Sequence, residues 1–377
     1  MKPTHFSMKS AHFTRLLYIS IFIIISCNPS PKKKIEFNPE KLESYYLESE
    51  KSDNPNIINP RRLFSKDSFL FVIEDYRMPP DLPLIHIFRK ASLTYFNSKG
   101  KIGFGPFEAP SVEVYNPSKS DSTFMMYSGM ERKYIEYNIY DSSRLGIREF
   151  KIPDIETPLG AIYFSPDSIF IGIPTYDENK FVEVNFQGKK INGYGEWEQI
   201  EEKREMSYYH HFNLNQGRFN TDDDFTLFVN ASLFRDRLEI FDLKTKEIKT
   251  IDGPSAALPE FKFYGASMPL DIPISNPYSY RDVYISNERI YALYGGLSEI
   301  DYKETSELAK TIFVFTRKGE PILKFDLDRS VNSIVVDEEL NRIYGLTTDE
   351  DPGIAVFKIP YEVIQTLKND EQYSKND

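Results

Sequence analysis

A short strand–turn–strand unit recurs along this chain of 377 residues at a nearly constant distance, and that recurrence restricts the fold more than any other feature. Ile162-Tyr163-Phe164 runs into Ser165-Pro166-Asp167-Ser168 and on into Ile169-Phe170-Ile171-Gly172-Ile173. Proline and aspartate supply turn geometry between two runs that favour strands. The unit returns as Ile334-Val335-Val336 before Arg342-Ile343-Tyr344-Gly345-Leu346, and as Val283-Tyr284-Ile285 before Arg289-Ile290-Tyr291-Ala292-Leu293. Weaker copies place second strands at Phe69–Val72, Phe124–Tyr127 and Phe225–Phe228. With Phe69, Phe124, Ile169, Phe225, Ile290 and Ile343 as markers, the spacings are 55, 45, 56, 65 and 53 residues. A third strand follows each hairpin, as in Phe181–Val184, Leu238–Phe241 and Ile312–Phe315, and a fourth follows a polar turn, as at Lys190-Ile191 and Pro321-Ile322. Propeller blades are units of this kind, about 40–50 residues and four strands each. The pattern predicts an all-β fold, a six-bladed β-propeller of four-stranded antiparallel blades over residues 59–360, with a β-sandwich pair as the alternative.

Composition agrees, since 25 Tyr and 29 Phe make the chain rich in side chains that pack on pleated surfaces. The last hairpin is followed by one strand only, Ile354–Ile359, so blade six lacks its outer strand; Ile35-Glu36-Phe37 is expected to supply it and hide the open edge. Residues 361–377 read as a polar tail. Gly103-Phe104-Gly105 and Gly193-Tyr194-Gly195 close two blades and predict sharp exits at glycines with positive φ. Neither pair opens a helix, which argues against a phosphate cradle.

The N-terminus carries a different signal. Behind Arg15, residues 16–25 form an uncharged apolar run, too short for a spanning helix of roughly 20 residues but right for a secretory signal peptide, residues 1–26. The run ends in Ile24-Ile25-Ser26-Cys27, which resembles the lipobox of bacterial lipoproteins. That resemblance implies cleavage before Cys27 and its acylation, with palmitate and diacylglycerol anchoring the chain in a lipid bilayer; stable attachment takes more than one chain. Cys27 is the only cysteine, so an internal disulfide is excluded. Residues 27–58 then read as a lipidated tether. Loss of Lys2, Lys9 and Arg15 with the signal leaves 43 basic against 57 acidic residues, a formal net charge of −14. An acidic surface argues against nucleic acid as a partner.

Ser165-Pro166-Asp167 matches a turn of TolB-type blades, and the hairpin from Val336-Asp337 to Ile343-Tyr344 is similar to those of NHL-like propellers. With Cys27 and the glycine-rich blade ends, the chain resembles the TolB-like six-bladed propeller lipoproteins of Bacteroidetes over roughly residues 59–360. The resemblance implies a fold and a compartment and transfers no catalytic residue.

Chemistry is sparse. Beyond the signal the histidines are His86, His210 and His211. His86 alternates with Ile85 and Ile87 and reads as structural. Tyr208-Tyr209-His210-His211 is expected to begin the inner strand of blade four, where adjacent histidines point to opposite faces and do not share a metal. No Gly-x-Ser-x-Gly elbow occurs, and the acid runs 222–224 and 349–351 lack calcium-loop spacing. No cofactor and no metal site is expected. The loops joining second to third strands should emerge on one face, near Tyr76–Pro80, Ser128–Arg132, Thr175–Glu178, Ser232–Asp236, Gly295–Lys310 and Thr347–Gly353. They are rich in Arg, Tyr, Met and Phe, residues over-represented at binding surfaces. Arg77, Arg132, Tyr176, Arg235, Tyr208 and His210 are the binding-face candidates. The reading favours a membrane-anchored module for an envelope protein, peptide or glycan, on an outer membrane facing the periplasm. The alternative is a propeller-type lyase or hydrolase with a channel-centred site, with or without a divalent metal.

Overall fold

Each recurring hairpin is extended by two more strands into a twisted antiparallel sheet, and the second strands are buried along nearly their whole length because apolar neighbours cover both faces. The computed structural model describes residues 33–167, 169–202 and 205–374. Cys27, the signal peptide and the start of the tether lie outside them. The N-terminal segment supplies β1 (Lys33–Glu36), β2 (Glu43–Leu47) and β3 (Ser49–Ser52). Blade one is β4 (Pro60–Lys66), β5 (Phe69–Glu74), β6 (Pro83–Arg89) and β7 (Tyr95–Lys101). Blade two is β8 (Val114–Asn116), β9 (Thr123–Ser128), β10 (Lys133–Asn138) and β11 (Arg148–Lys151). Blade three is β12 (Leu159–Phe164), β13 (Ile169–Pro174), β14 (Asn179–Asn185) and β15 (Lys190–Glu196). Helix α1 (Tyr208–Asn215) leads into blade four, β16 (Gly217–Thr221), β17 (Leu227–Ser232), β18 (Arg237–Asp242) and β19 (Ile248–Asp252). Blade five is β20 (Tyr278–Ile285), β21 (Arg289–Leu297), β22 (Thr311–Thr316) and β23 (Pro321–Leu327), with α2 (Glu299–Thr305) between its second and third strands. Blade six is β24 (Val331–Asp337), β25 (Arg342–Thr347) and β26 (Ile354–Lys358), completed by β3, and α3 (Tyr361–Ser374) follows.

The core is a ring rather than a single mass. Six apolar clusters lie one between each pair of neighbouring blades. Phe71 and Ile85 of blade one meet Phe124 and Tyr137 of blade two, for example, and Leu70 and Val72 of blade one meet Val335 and Leu346 of blade six, which closes the circle. Polar groups stitch the inner strands together as well. Tyr163 donates to the Phe219 carbonyl and to Asn220, which in turn donates to the Val283 carbonyl. The Asp282 carboxylate accepts from the Ser333 hydroxyl and the Ile334 N–H, and the Leu63 N–H donates to the same hydroxyl.

The outer strand of blade six is Ser49–Ser52, antiparallel to β26. Ile35-Glu36, expected in that place, instead pairs with β19 as a parallel fifth strand of blade four. The apolar pattern that suggested Ile35–Phe37 reflects a different burial, since Phe37 inserts edge-on against Phe313 and Phe315 between blades four and five. The true closing segment is polar because an outermost strand is held by backbone hydrogen bonds. Strand β2 is likewise a parallel fifth strand, on blade five. Blades four and five therefore exceed the expected four strands, and the N-terminal segment crosses the outer edges of three blades in turn.

Four further expectations change. Phe225 has a φ of 55° in the turn before β17, so that strand starts at Leu227. Tyr208–His211 forms the first turn of α1 and not the inner strand. Residues 361–374 form a helix whose Val363 and Leu367 enter the core cluster between blades five and six, so the C-terminal segment is not simply a polar tail. Gly195 has the expected positive φ, but at the end of blade one the positive φ falls on Gly100, not Gly103 or Gly105. The Gly105 N–H is taken by the Glu108 carboxylate at 3.0 Å.

A chain beginning at Asp53 is expected to lose its single cooperative thermal transition and to associate through the bared edge of β26, measured by circular dichroism and size-exclusion chromatography. Phe37→Ala, which leaves all three edge pairings in place, should keep one transition and lose about 3–5 kcal/mol of stability.

Candidate functional site

Irregularities in the inner strands mark one end of the propeller. In β4, β12, β20 and β24 one extra residue interrupts the pairing with the second strand, at Arg61, Gly160, Arg281 and Asn332. A bulge bends its strand and re-aims a side chain, and bulges gather beside functional sites. All four lie near the start of an inner strand, at the end that also carries the second-to-third-strand loops, here called the upper end.

A cavity of about 720 Å³ opens there against blades one to four. One side is apolar, with Met130, Ile152, Ile155, Pro158 and Leu159; Arg61, Arg62, Arg132 and Arg218 also line it. Three of these arginines have a carboxylate only at 3.6–3.7 Å, and Arg218 has none in range among the described residues. Arg61 is 3.7 Å from Asp75, whose carboxylate already accepts from Arg77 at 2.8 Å. Arg62 is 3.6 Å from Asp282, which is committed to the inner-strand stitches. Arg132 reaches the Pro153 carbonyl at 3.3 Å and Asp154 at 3.7 Å. Arg218 donates from Nε to the Arg281 carbonyl at 2.8 Å, and among the described residues no carboxylate lies within ion-pair distance of it. Arg281 stacks on Tyr278 at 4.5 Å, and its buried Nε has no hydrogen-bond partner. Glu113, the one acidic group of the lining, accepts from the Gly129 N–H and the Ser111 hydroxyl.

The electrostatic consequence is clearest at Arg218, whose side chain is reached by solvent through the cavity while protein encircles it. Desolvation by the surrounding cavity wall, and then the Arg62 guanidinium, push the pKa of this exposed side chain down to about 10, with Asp282 opposing and Arg61 and Arg281 adding to the shift. It remains a cation at neutral pH. Below the cavity the channel narrows to a space of about 40 Å³ among Tyr115, Tyr163 and Tyr284. Burial pushes Tyr163 up to about 12, so its hydroxyl keeps its proton and serves as a donor. The lower end is a broader recess of about 960 Å³ in which six acids, Asp67, Asp223, Glu288, Asp337, Glu338 and Glu339, outnumber the bases Lys66, Lys90 and Arg289. The channel therefore carries opposite charge at its two ends. Among the described residues no three His, Cys, Asp or Glu side chains converge as metal ligands. No described helix is long and apolar enough to cross a membrane.

The six loops expected on one face all join second to third strands. Arg132 lies on the cavity wall; Arg77 is exposed beside it in the blade-one loop, paired with Asp75. Tyr176 is half exposed and stacks on Tyr209 with ring centroids 5.0 Å apart, and Tyr208 is similarly exposed at the start of α1. Two expected contacts fail. Arg235 is buried, bonded to Glu198 at 2.8 Å and the Ala256 carbonyl at 3.0 Å, because it anchors the connectors flanking blade four. His210 is fully buried. Its Nδ1 accepts the Ser207 N–H at 3.1 Å, which leaves the proton of the neutral ring on Nε2, facing the Gly265 and Met268 carbonyls at 3.0 and 3.1 Å. It fastens two long connectors together. His86 is buried beside Glu74 and Tyr95, in keeping with a structural role. Arg61, Arg62 and Arg218 were missed by the sequence reading. Their signal was arginine near the start of three inner strands, in Pro60-Arg61-Arg62, Gly217-Arg218 and Tyr280-Arg281, visible only once blades are superimposed.

Glu198 gives the upper connectors a pH dependence. Burial alone would raise its carboxyl, but Arg235 and Arg237, each at 2.8 Å, hold it down at about 2 against an ordinary 4.5. A depressed carboxylate stabilises the fold above its unfolded pKa, and the contribution disappears as pH falls through the folded value. The melting-temperature advantage of the native chain over Glu198→Gln is therefore expected to be full above pH 5 and to shrink towards pH 2, read from melting curves across that range.

Residues 40–339 match the family model described as a TolB-like 6-blade propeller. No curated protein matches the chain. Among solved structures, one similar in fold is a Bacteroides fragilis protein assigned as exported, with a TM-score of 0.52 at 11% identity over 87% of this chain and 100% of that one. A Bacteroides vulgatus member of the DUF4221 family has a TM-score of 0.52 at 12% identity, over 83% of this chain and 98% of that one.

Proposed function

Because the chain belongs to the TolB-like six-bladed propeller family, we propose that it is a lipid-anchored binding module of the cell envelope, receiving a protein, peptide or glycan at the upper-end cavity. The observation that carries this reading is the cavity itself, built on rigid inner strands and rimmed by loops, with an apolar wall and guanidinium donors. Arginine donates hydrogen bonds and keeps its proton at neutral pH, so this lining suits recognition better than proton transfer.

Strand β1 runs parallel to β19, which rises from the lower end of blade four, so Lys33 enters the propeller at the lower end. Five residues separate Cys27 from Lys33. An extended chain spans at most about 3.3–3.6 Å per residue, so acylated Cys27 would hold the lower end within about 20 Å of the bilayer. The assignment of the Bacteroides fragilis structure as an exported protein supports the compartment, Asn28 after Cys27 is compatible with outer-membrane sorting, and Lys32-Lys33-Lys34, with no acid among them, favours the side facing the periplasm.

Cys27→Ala is expected to move the protein from the membrane pellet to the soluble fraction and to abolish labelling by radioactive palmitate. Soluble protein starting at Asn28 should retain an envelope partner. Met130→Asp, on the exposed cavity wall, should lose that partner, whereas Glu339→Gln at the lower end should keep it. Equal retention by both variants would sink the assignment of the binding face.

A further inference from the structure

The cavity's charge is opposite in sign to that of the chain. With a formal net charge of −11 overall, the upper end nevertheless gathers Arg61, Arg62 and Arg218 within one lining, beside Arg281. Like charges held together repel, and Arg61 and Arg218 are exposed to the cavity, so their remaining donors are open to an arriving anion. Arg61 and Arg62 each have one carboxylate in range, Asp75 at 3.7 Å and Asp282 at 3.6 Å, and both carboxylates are shared with other donors. Asp282 serves Ser333 and Ile334, Asp75 serves Arg77, and Glu113 serves Ser111 and Gly129. Arg218 spends one donor on a carbonyl and has no carboxylate in range among the described residues. The strand bulge at Arg61 adds a residue that regular pairing would not place there. Facing these groups are the apolar Met130, Ile155 and Leu159. The volume, about 720 Å³, is that of a small-molecule site.

We propose that this cavity binds a small amphipathic organic anion, an oxyanion head held by Arg61, Arg62 and Arg218 and an apolar body lying against Met130, Ile155 and Leu159. The inference rests on the binding-module reading only in taking the upper-end cavity as the receiving site. Carboxylates and phosphate monoesters share the required chemistry, since the planar guanidinium fork matches either head in a bidentate manner. The depressed pKa of Arg218 is in keeping with a cation lacking its counter-ion, and an arriving anion would raise it again.

The test uses the soluble chain from Asn28 in isothermal titration calorimetry with octanoate, octyl phosphate, inorganic phosphate and octanamide. Octanoate or octyl phosphate should bind, the tighter of the two identifying the head group, and the affinity should weaken as sodium chloride is raised. Arg218→Gln should weaken binding at least about tenfold, the scale of a lost charge-assisted hydrogen bond, with Arg218→Lys in between. Without ligand, Arg218→Gln should melt no lower than the native chain, because it removes repulsion and no ion pair. Equal binding of octanamide, equal binding of inorganic and octyl phosphate, unchanged affinity in Arg218→Gln, or a melting temperature several degrees lower in that variant would each overturn the proposal. Absence of binding by every octyl probe while envelope-partner capture persists would overturn this inference and leave the binding module standing. Anion binding without partner capture would do the reverse.

Discussion

The structure depends on the pairing of Ser49–Ser52 with β26. Each blade is apolar on both faces and touches only its two neighbours, so stability is a sum of nearest-neighbour interfaces, as in other repeat architectures. Such a sum has no natural end. A row of six blades would expose an apolar sheet face at each terminus; a ring exposes none. Building the last blade from both ends of the chain converts the row into the ring, and the cluster joining blades six and one is buried only because that conversion holds.

Closure also explains where irregularity is tolerated. Every blade is fixed from two sides by side-chain clusters, so the inner strands can carry bulges at their upper ends without losing register below. The bulged residues include two arginines that a regular strand would not accommodate there. The same frame holds an acidic recess at the other end of the channel. Within each end like charges repel, and the ring holds them in place, with the throat of tyrosines between the two ends.

Much of the fold was legible in the sequence because apolar alternation and turn chemistry act locally. The hairpins at 162–173, 283–293 and 334–346 fall where the pattern puts them. Edge pairing was not legible: Ser49-Glu50-Lys51-Ser52 carries no apolar signature, since backbone groups hold it. Phe37 does, and so drew the closing strand to the wrong segment. The site was legible in outline only. Arg132, Arg77 and Tyr176 occupy the expected loops, and Arg132 reaches the cavity. Whether an arginine or histidine is offered outward or turned into the protein depends on partners distant in sequence: Arg235 meets Glu198, and His210 meets carbonyls more than fifty residues away. The inner-strand arginines converge only through the circular arrangement of blades, a property no single segment contains.

The N-terminal segment has one more consequence, and it is mechanical. A pull delivered to Lys33 from the lower end acts along the axis of β1, which lies parallel to β19 through four residue pairs, Lys33↔Lys249 to Glu36↔Asp252. Load along a strand stretches its cross-strand hydrogen bonds together, in shear, instead of opening them one at a time from an end. Phe37, lodged behind them between blades four and five, must leave its pocket before β2 feels any tension, and the closing strand β3 lies beyond both. The chain thus places a strain relief between Lys33 and the seam that holds the ring shut.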